Sequence, residues 1–235
     1  NLAGNNSNAY IGWDGQQGDK FFTGKIDEIR VWNDIRTQTE IKSNMHTELS
    51  GTESNLVAYY NFNDGSGTTL TDLTSNSNDG TMTNMAGDDW ISNTLFAQDY
   101  ALDFDGSNDY VSLGDVSNYP LSGAIESSTS IWVKSNLTNS SYSFFGTHTP
   151  IGERQYFAIH SGNWDMGVDS NAWGSGQSGT FEPATKNWTH ILVTFTSGTA
   201  TMYVDGSETI NKPYTSINVT GILPIGAMLE NGIIN

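Results

Sequence analysis

Apolar residues along this chain fall into short runs that alternate with polar ones, which is the period of a β-strand. The most regular run lies within 25–33, where Ile29 and Val31 share one face and Arg30 and Trp32 the other. It is approached through Phe21-Phe22-Thr23-Gly24 and ends at the polar break Asn33-Asp34. Alternation fails at the adjacent acids Asp27 and Glu28, which predicts a bulge or an ion site there. Further strands are expected at Ala9 to Gly12, at Leu56 to Phe62, on both sides of the turn at Asp105-Gly106, and at Ser130 to Lys134. Short aromatic strands follow at Tyr142 to Gly146, Gln155 to His160 and Trp164 to Val168. The clearest hairpin joins Trp188 to Phe195 with Thr201 to Val204, which turns through Asp205-Gly206, a type I′ signal, into Glu208 to Ile210. A single helix is predicted at about 37–47, because Thr37 with Glu40 three residues on forms a capping box. The polar stretches 63–67 and 71–80 read as a break and a loop. Many short strands with one short helix in a connector predict an all-β fold, an antiparallel jelly-roll β-sandwich.

Composition narrows the function. Nine Lys and Arg stand against 26 Asp and Glu, a net charge of -17, so the chain repels phosphate backbones and nucleic acid is excluded as a partner. With 25 Gly, seven Trp, ten Tyr and ten Phe, the 235 residues describe an aromatic-rich β protein able to bury a substantial core, not a disordered one. There is no Cys, hence no disulfide framework or thiol chemistry. No apolar run reaches the roughly 18 residues of a membrane span, so no membrane insertion is expected.

Four segments together are similar to the laminin-G-like, concanavalin-A-like lectin/glucanase superfamily of bacterial surface repeats. Leu56 to Gly67, with Thr71-Asp72 and Asn76 to Gly80, resembles that family's opening strand and loop. Ala101 to Val111 resembles its second signature, Trp188 to Gly206 its central hairpin, and Gly24 to Asn33 its closing strand. The order is cyclic, since the closing strand comes first. Tyr10-Ile11-Gly12 also matches Pro224-Ile225-Gly226 at an offset of about 214 residues, which tandem repeats of that period would explain and chance would also allow. The resemblance thus implies three parts: 1–36 as closing strands of one repeat, 37–55 as a helical connector, and 56–235 as a sandwich lacking its own closing strand. On that reading 25–33 can pair with 56–62. The chain begins at Asn1, and a piece of a longer secreted or cell-surface protein is expected, extracellular and next to neighbouring repeats of the same polypeptide.

Three chemistries are open to these residues. Glucanases of this fold use closely spaced acids on one strand, and no such run occurs, so no enzyme is expected. Calcium takes carboxylate, amide and backbone oxygens. Asp64, Asp72, Asn76, Asn78 and Asp79 offer these, and the resemblance adds Asp27; the alternative is that these residues only shape turns. Sugar binding needs an aromatic face beside hydrogen-bonding groups. His148, Arg154, Tyr156, His160, Trp164, Asp165 and Trp173 supply both, although aromatics of this kind also fill sandwich cores. The expected function is a non-catalytic carbohydrate-binding or adhesion module for an extracellular glycan or cell-surface ligand. A structural spacer is the alternative and a glycoside hydrolase the third reading.

Overall fold

The computed structural model describes residues 8–12, 21–93, 96, 99–115, 126–135, 142–148, 154–160, 163–169, 187–196 and 198–213. Strand β1 is Asn8–Ile11 and β2 is Thr23–Trp32. β2 is long enough to serve three neighbours. One edge is taken by β9 (Ser127–Ser135), and the other is divided: Thr23 to Ile26 pair with β7 (Asp99–Asp105) and Ile29 to Trp32 with β3 (Leu56–Tyr60), all antiparallel. The pairing of 25–33 with 56–62 is therefore present. β6 (Trp90–Asn93) extends the sheet beyond β7, and the hairpin strands β13 (Thr189–Thr196), β14 (Thr199–Val204) and β15 (Ser207–Pro213) extend it beyond β9, giving eight strands. At the turn between β14 and β15, Asp205 and Gly206 have φ of 47° and 70°, the two positive values a type I′ turn requires.

Two smaller sheets face this one. The first runs β1, β8 (Tyr110–Asp115), β5 (Gly80–Thr83), β4 (Thr69–Leu70); the second runs β10 (Tyr142–His148), β11 (Arg154–His160), β12 (Asn163–Asp169). The core lies between them and the large sheet. It joins Ile26, Ile29, Ile131 and Ile191 of the large sheet to Ile11, Val111 and Leu113 of the first small sheet and to Phe144 and Trp164 of the second. This is an antiparallel β-sandwich, as the alternation predicted.

Differences from the sequence reading are local. The helix α1 (Gln38–Asn44) has Thr37 as N-cap and the reciprocal Thr37–Glu40 capping box, but ends before residue 47. The carbonyls of Asn44 and Thr47 accept bonds from the Arg30 guanidinium at 2.9 and 2.7 Å, and that of Met45 accepts one from the Trp132 indole at 2.9 Å. Sheet side chains thus hold carbonyls where another turn would have run. Strands β4, β5 and β6 are not among the predicted ones, being too short to show a period, and β5 begins at Gly80, the last residue of the loop expected at 71–80.

Candidate functional site

The bulge in β2 governs the acids that drew attention in the sequence. Ile26 and Ile29 are both fully buried in the core, an odd spacing that a period of two forbids unless one residue is inserted. The register against β9 shifts accordingly between Asp27 and Arg30, and Glu28 takes a φ of 53°. Glu28 then lies on the outer face beside Arg30, where the two form an ion pair with the glutamate side chain fully buried. Tyr59 donates from its hydroxyl to the other Glu28 oxygen at 2.6 Å, and burial together with the Glu28 charge holds its phenol well above the usual range. The Asp27 carboxylate accepts from the Glu28 amide at 2.7 Å. Both acids are fully buried and present no open carboxylate pair.

Further along the same face, Trp132 lies between His46 and His190, each ring centroid 5.2 Å away. Burial, reinforced by the Arg30 and His46 charges, pulls His190 down to about 3, and its Nδ1 is buried without a hydrogen-bond partner. The cavity beneath α1, lined by Arg30, Arg36, Ile41 and His190 among others, measures about 20 Å³, room for one water and no sugar.

The loop proposed for calcium is engaged with its own backbone. Asp72 accepts from the amides of Tyr59, Thr74 and Asn78 and from the Thr74 hydroxyl, at 2.9 to 3.1 Å. Four hydrogens therefore point at the carboxylate that a cation would need. Asp64 accepts from the Thr71 hydroxyl and amide, Asn76 donates to the Val57 carbonyl, and the Asn78 carbonyl accepts from Tyr60. Among the described residues no three Asp, Glu or His side chains gather in a cluster able to hold a metal. This donor set does not fit calcium; it fits the turn-shaping role. One acid elsewhere is perturbed: Asp109, buried and accepting from the Asp105 amide at 2.8 Å, is pushed up to about 6 by burial, with the Asp105 and Asp89 charges adding.

The sugar-binding candidates separate by register. In β11, residues 154, 156, 158 and 160 share a face. Their partners are His148 and Asp169 for Arg154, Gly146 and Gly167 for Tyr156, Asp165 for Ala158, and Asn163 for His160. Directly paired residues lie on one face, so His148, Arg154, Tyr156, His160 and Asp165 come together on a single face of the three-stranded sheet. Trp164 falls on the other. It is only 3% exposed, with its ring edge-on to Phe144 at 6.1 Å, and serves the core. Trp173 lies outside the described residues, as does the loop 13–20.

A laminin G model, described as the concanavalin A-like lectin/glucanases superfamily, matches residues 1–42 and 105–228. The chain belongs to that superfamily. Laminin G-like domains are generally non-catalytic binding modules and typically extracellular, while the superfamily's own description spans lectins and glucanases. No curated protein matches the chain. Among the described residues no helix is long and apolar enough to cross a membrane.

Sequence alone does not mark Arg30, Tyr59, Trp132 and His190 as one connected set. One signal was available: Glu28 and Arg30 are two apart, the spacing of neighbours on one strand face.

Proposed function

We propose that this chain is a non-catalytic carbohydrate-binding or adhesion module of an extracellular or cell-surface protein, taking sugar on the face of β10, β11 and β12 that carries His148, Arg154, Tyr156, His160 and Asp165. The observation that carries the reading is the register: Tyr156 has a glycine on each neighbouring strand, Gly146 and Gly167, with charged and imidazole residues in the adjoining rows. An aromatic residue paired with glycine on both sides, with charged and imidazole residues in the adjoining rows, is the residue pattern that recognition of a pyranose calls for. A hydrolytic role on this face is disfavoured by spacing. Asp165 and Asp169 are four residues apart on one strand, about 13 Å, beyond the roughly 5 to 9.5 Å of a glycosidase carboxyl pair. Glu28 is sealed in its ion pair and is equally unsuited.

The test is a glycan array followed by titration of the best ligand into the unsubstituted chain and into Tyr156→Ala. Binding that weakens roughly tenfold or more, a loss of about 1.4 kcal/mol, at an unchanged melting temperature is the expected result. Binding retained in Tyr156→Ala would move the sugar elsewhere, and no binding at millimolar glycan would leave the spacer reading.

A further inference from the structure

Residues 34–47, with α1 among them, rest on the outer face of the large sheet through direct bonds at both ends of the helix. Ahead of α1 the Arg36 amide donates to the Ser128 hydroxyl at 2.7 Å, and from its first residue Gln38 Nε2 donates to the Gly206 carbonyl at 2.9 Å. Beyond it the Met45 carbonyl accepts from the Trp132 indole. The cavity of about 20 Å³ beneath α1 is lined from both sides, by Arg36 and Ile41 of this segment and by Ser130 and His190 of β9 and β13.

Two of these lining residues carry a polar atom that is buried with no protein partner, Arg36 Nε on the segment and His190 Nδ1 on the sheet. Both groups are held in place. The Arg36 guanidinium lies over the Trp32 ring at 4.4 Å and bonds Asp34 through Nη2. The His190 amide and carbonyl both bond Asp205 at 2.9 Å, its imidazole lies 5.2 Å from the Trp132 ring, and the residue is only 2% exposed. A buried polar atom so fixed takes its partner from whatever occupies the space beside it.

The occupant must accept a hydrogen from Arg36, whose nitrogens only donate, and give one to the acceptor nitrogen of a neutral imidazole. Burial keeps His190 in that neutral form at ordinary pH. No charge in the lining is left to be answered: Arg30 is paired with Glu28, and Arg36 with Asp34 and, at 3.6 Å, with Glu40. A halide or an ammonium ion would therefore enter without a counter-charge. One water needs roughly 10–15 Å³ and two to four polar partners, and the cavity meets both conditions. We propose that this cavity is a hydration site holding one water, which accepts from Arg36 Nε, donates to His190 Nδ1 and so joins the α1 segment to β13. A bridging water is nearly as good as a direct bond, so the helix is fastened to the sheet at its middle as well as at its ends.

A high-resolution crystal structure of the unsubstituted chain should show one water peak within roughly 3.2 Å of both atoms. Crystals grown in bromide should show no anomalous peak there. A dry cavity, a bromide in it, or a direct bond between Arg36 and His190 overturns the proposal. In solution, His190→Phe tells a bridge from a bare nitrogen by sign. With a bridge the folding constant should fall roughly tenfold, because Arg36 Nε and the water lose a partner; without one it should rise, because an unpaired polar atom has been replaced by an apolar ring. Arg36→Met keeps an apolar stem and removes Nε, so the double variant should fall well short of the product of the two single losses. A rise in His190→Phe, or two losses that simply multiply, defeats the proposal.

Discussion

On its inner face the eight-stranded sheet sets Ile26, Ile29, Val31, Ile131 and Val193 against the smaller sheets; on its outer face the same strands hold Glu28, Arg30, Trp132 and His190 beneath the connector. Both faces exclude water, but by different means. The inner face is apolar and non-directional, so each side chain contributes in proportion to the area it buries. The outer face is directional. Arg30 bonds Glu28, the Asn44 carbonyl and the Thr47 carbonyl at once, and each buried partner is costly if abandoned. One strand therefore carries a tolerant face and an intolerant one.

The largest effect should come from breaking the outer face. Arg30→Met leaves the Glu28 carboxylate buried without its partner and is expected to cost about 3–5 kcal/mol, against about 0.5–1.5 kcal/mol for Ile29→Val on the inner face one residue away. Adding Glu28→Gln to Arg30→Met should recover a good part of that loss, because the abandoned charge is removed with it. Denaturant unfolding of the single and double variants measures this; strictly additive costs would mean that the pair is not a coupled unit.

A smaller effect sharpens the same contrast through pH. His190 titrates near 3 when folded against 6.5 ordinarily, so the unfolded chain gains the proton first, and stability present above pH 6.5 is lost progressively as pH falls toward 3. Asp109 works the other way. Raised to about 6 from 3.8, it binds its proton more readily when folded, so its contribution favours the fold as pH falls from about 6 toward 4. Melting temperatures followed from pH 7 to pH 4 should fall less steeply in His190→Gln and more steeply in Asp109→Asn. Parallel curves for all three proteins would show that neither group is linked to folding.

The inner face was legible in the sequence because burial writes itself as a period. Ile29 and Val31 announced their shared face, Asp205-Gly206 its turn, and Thr37 with Glu40 its helix. The bulge was visible as a failure of alternation at Asp27 and Glu28, yet its outcome was not, since an inserted residue can serve an ion or an ion pair equally well. His190 and Trp132 were invisible as partners of the connector for another reason: their contacts join residues far apart in sequence, and no local spacing records them. The turn residues of 63–80 show the converse. Asp72 reads as a cation ligand by composition, but its backbone donors are supplied by a fold that composition does not specify.

The divided edge of β2 also has a kinetic consequence. Lys25 pairs with Lys134 and Asp103, and Arg30 with Tyr59 and Ser130, so the middle of the sheet joins the first half of the chain to the second. Closing such long loops before any contact rewards them slows folding, and sandwiches of this kind fold in milliseconds to seconds. During synthesis β2 emerges long before β9, with an apolar face and two open hydrogen-bonding edges. Stopped-flow refolding should therefore show β2 becoming protected no earlier than β9, as a late step shared by both; protection of β2 ahead of β9 would mean that the strand finds shelter without its central partner.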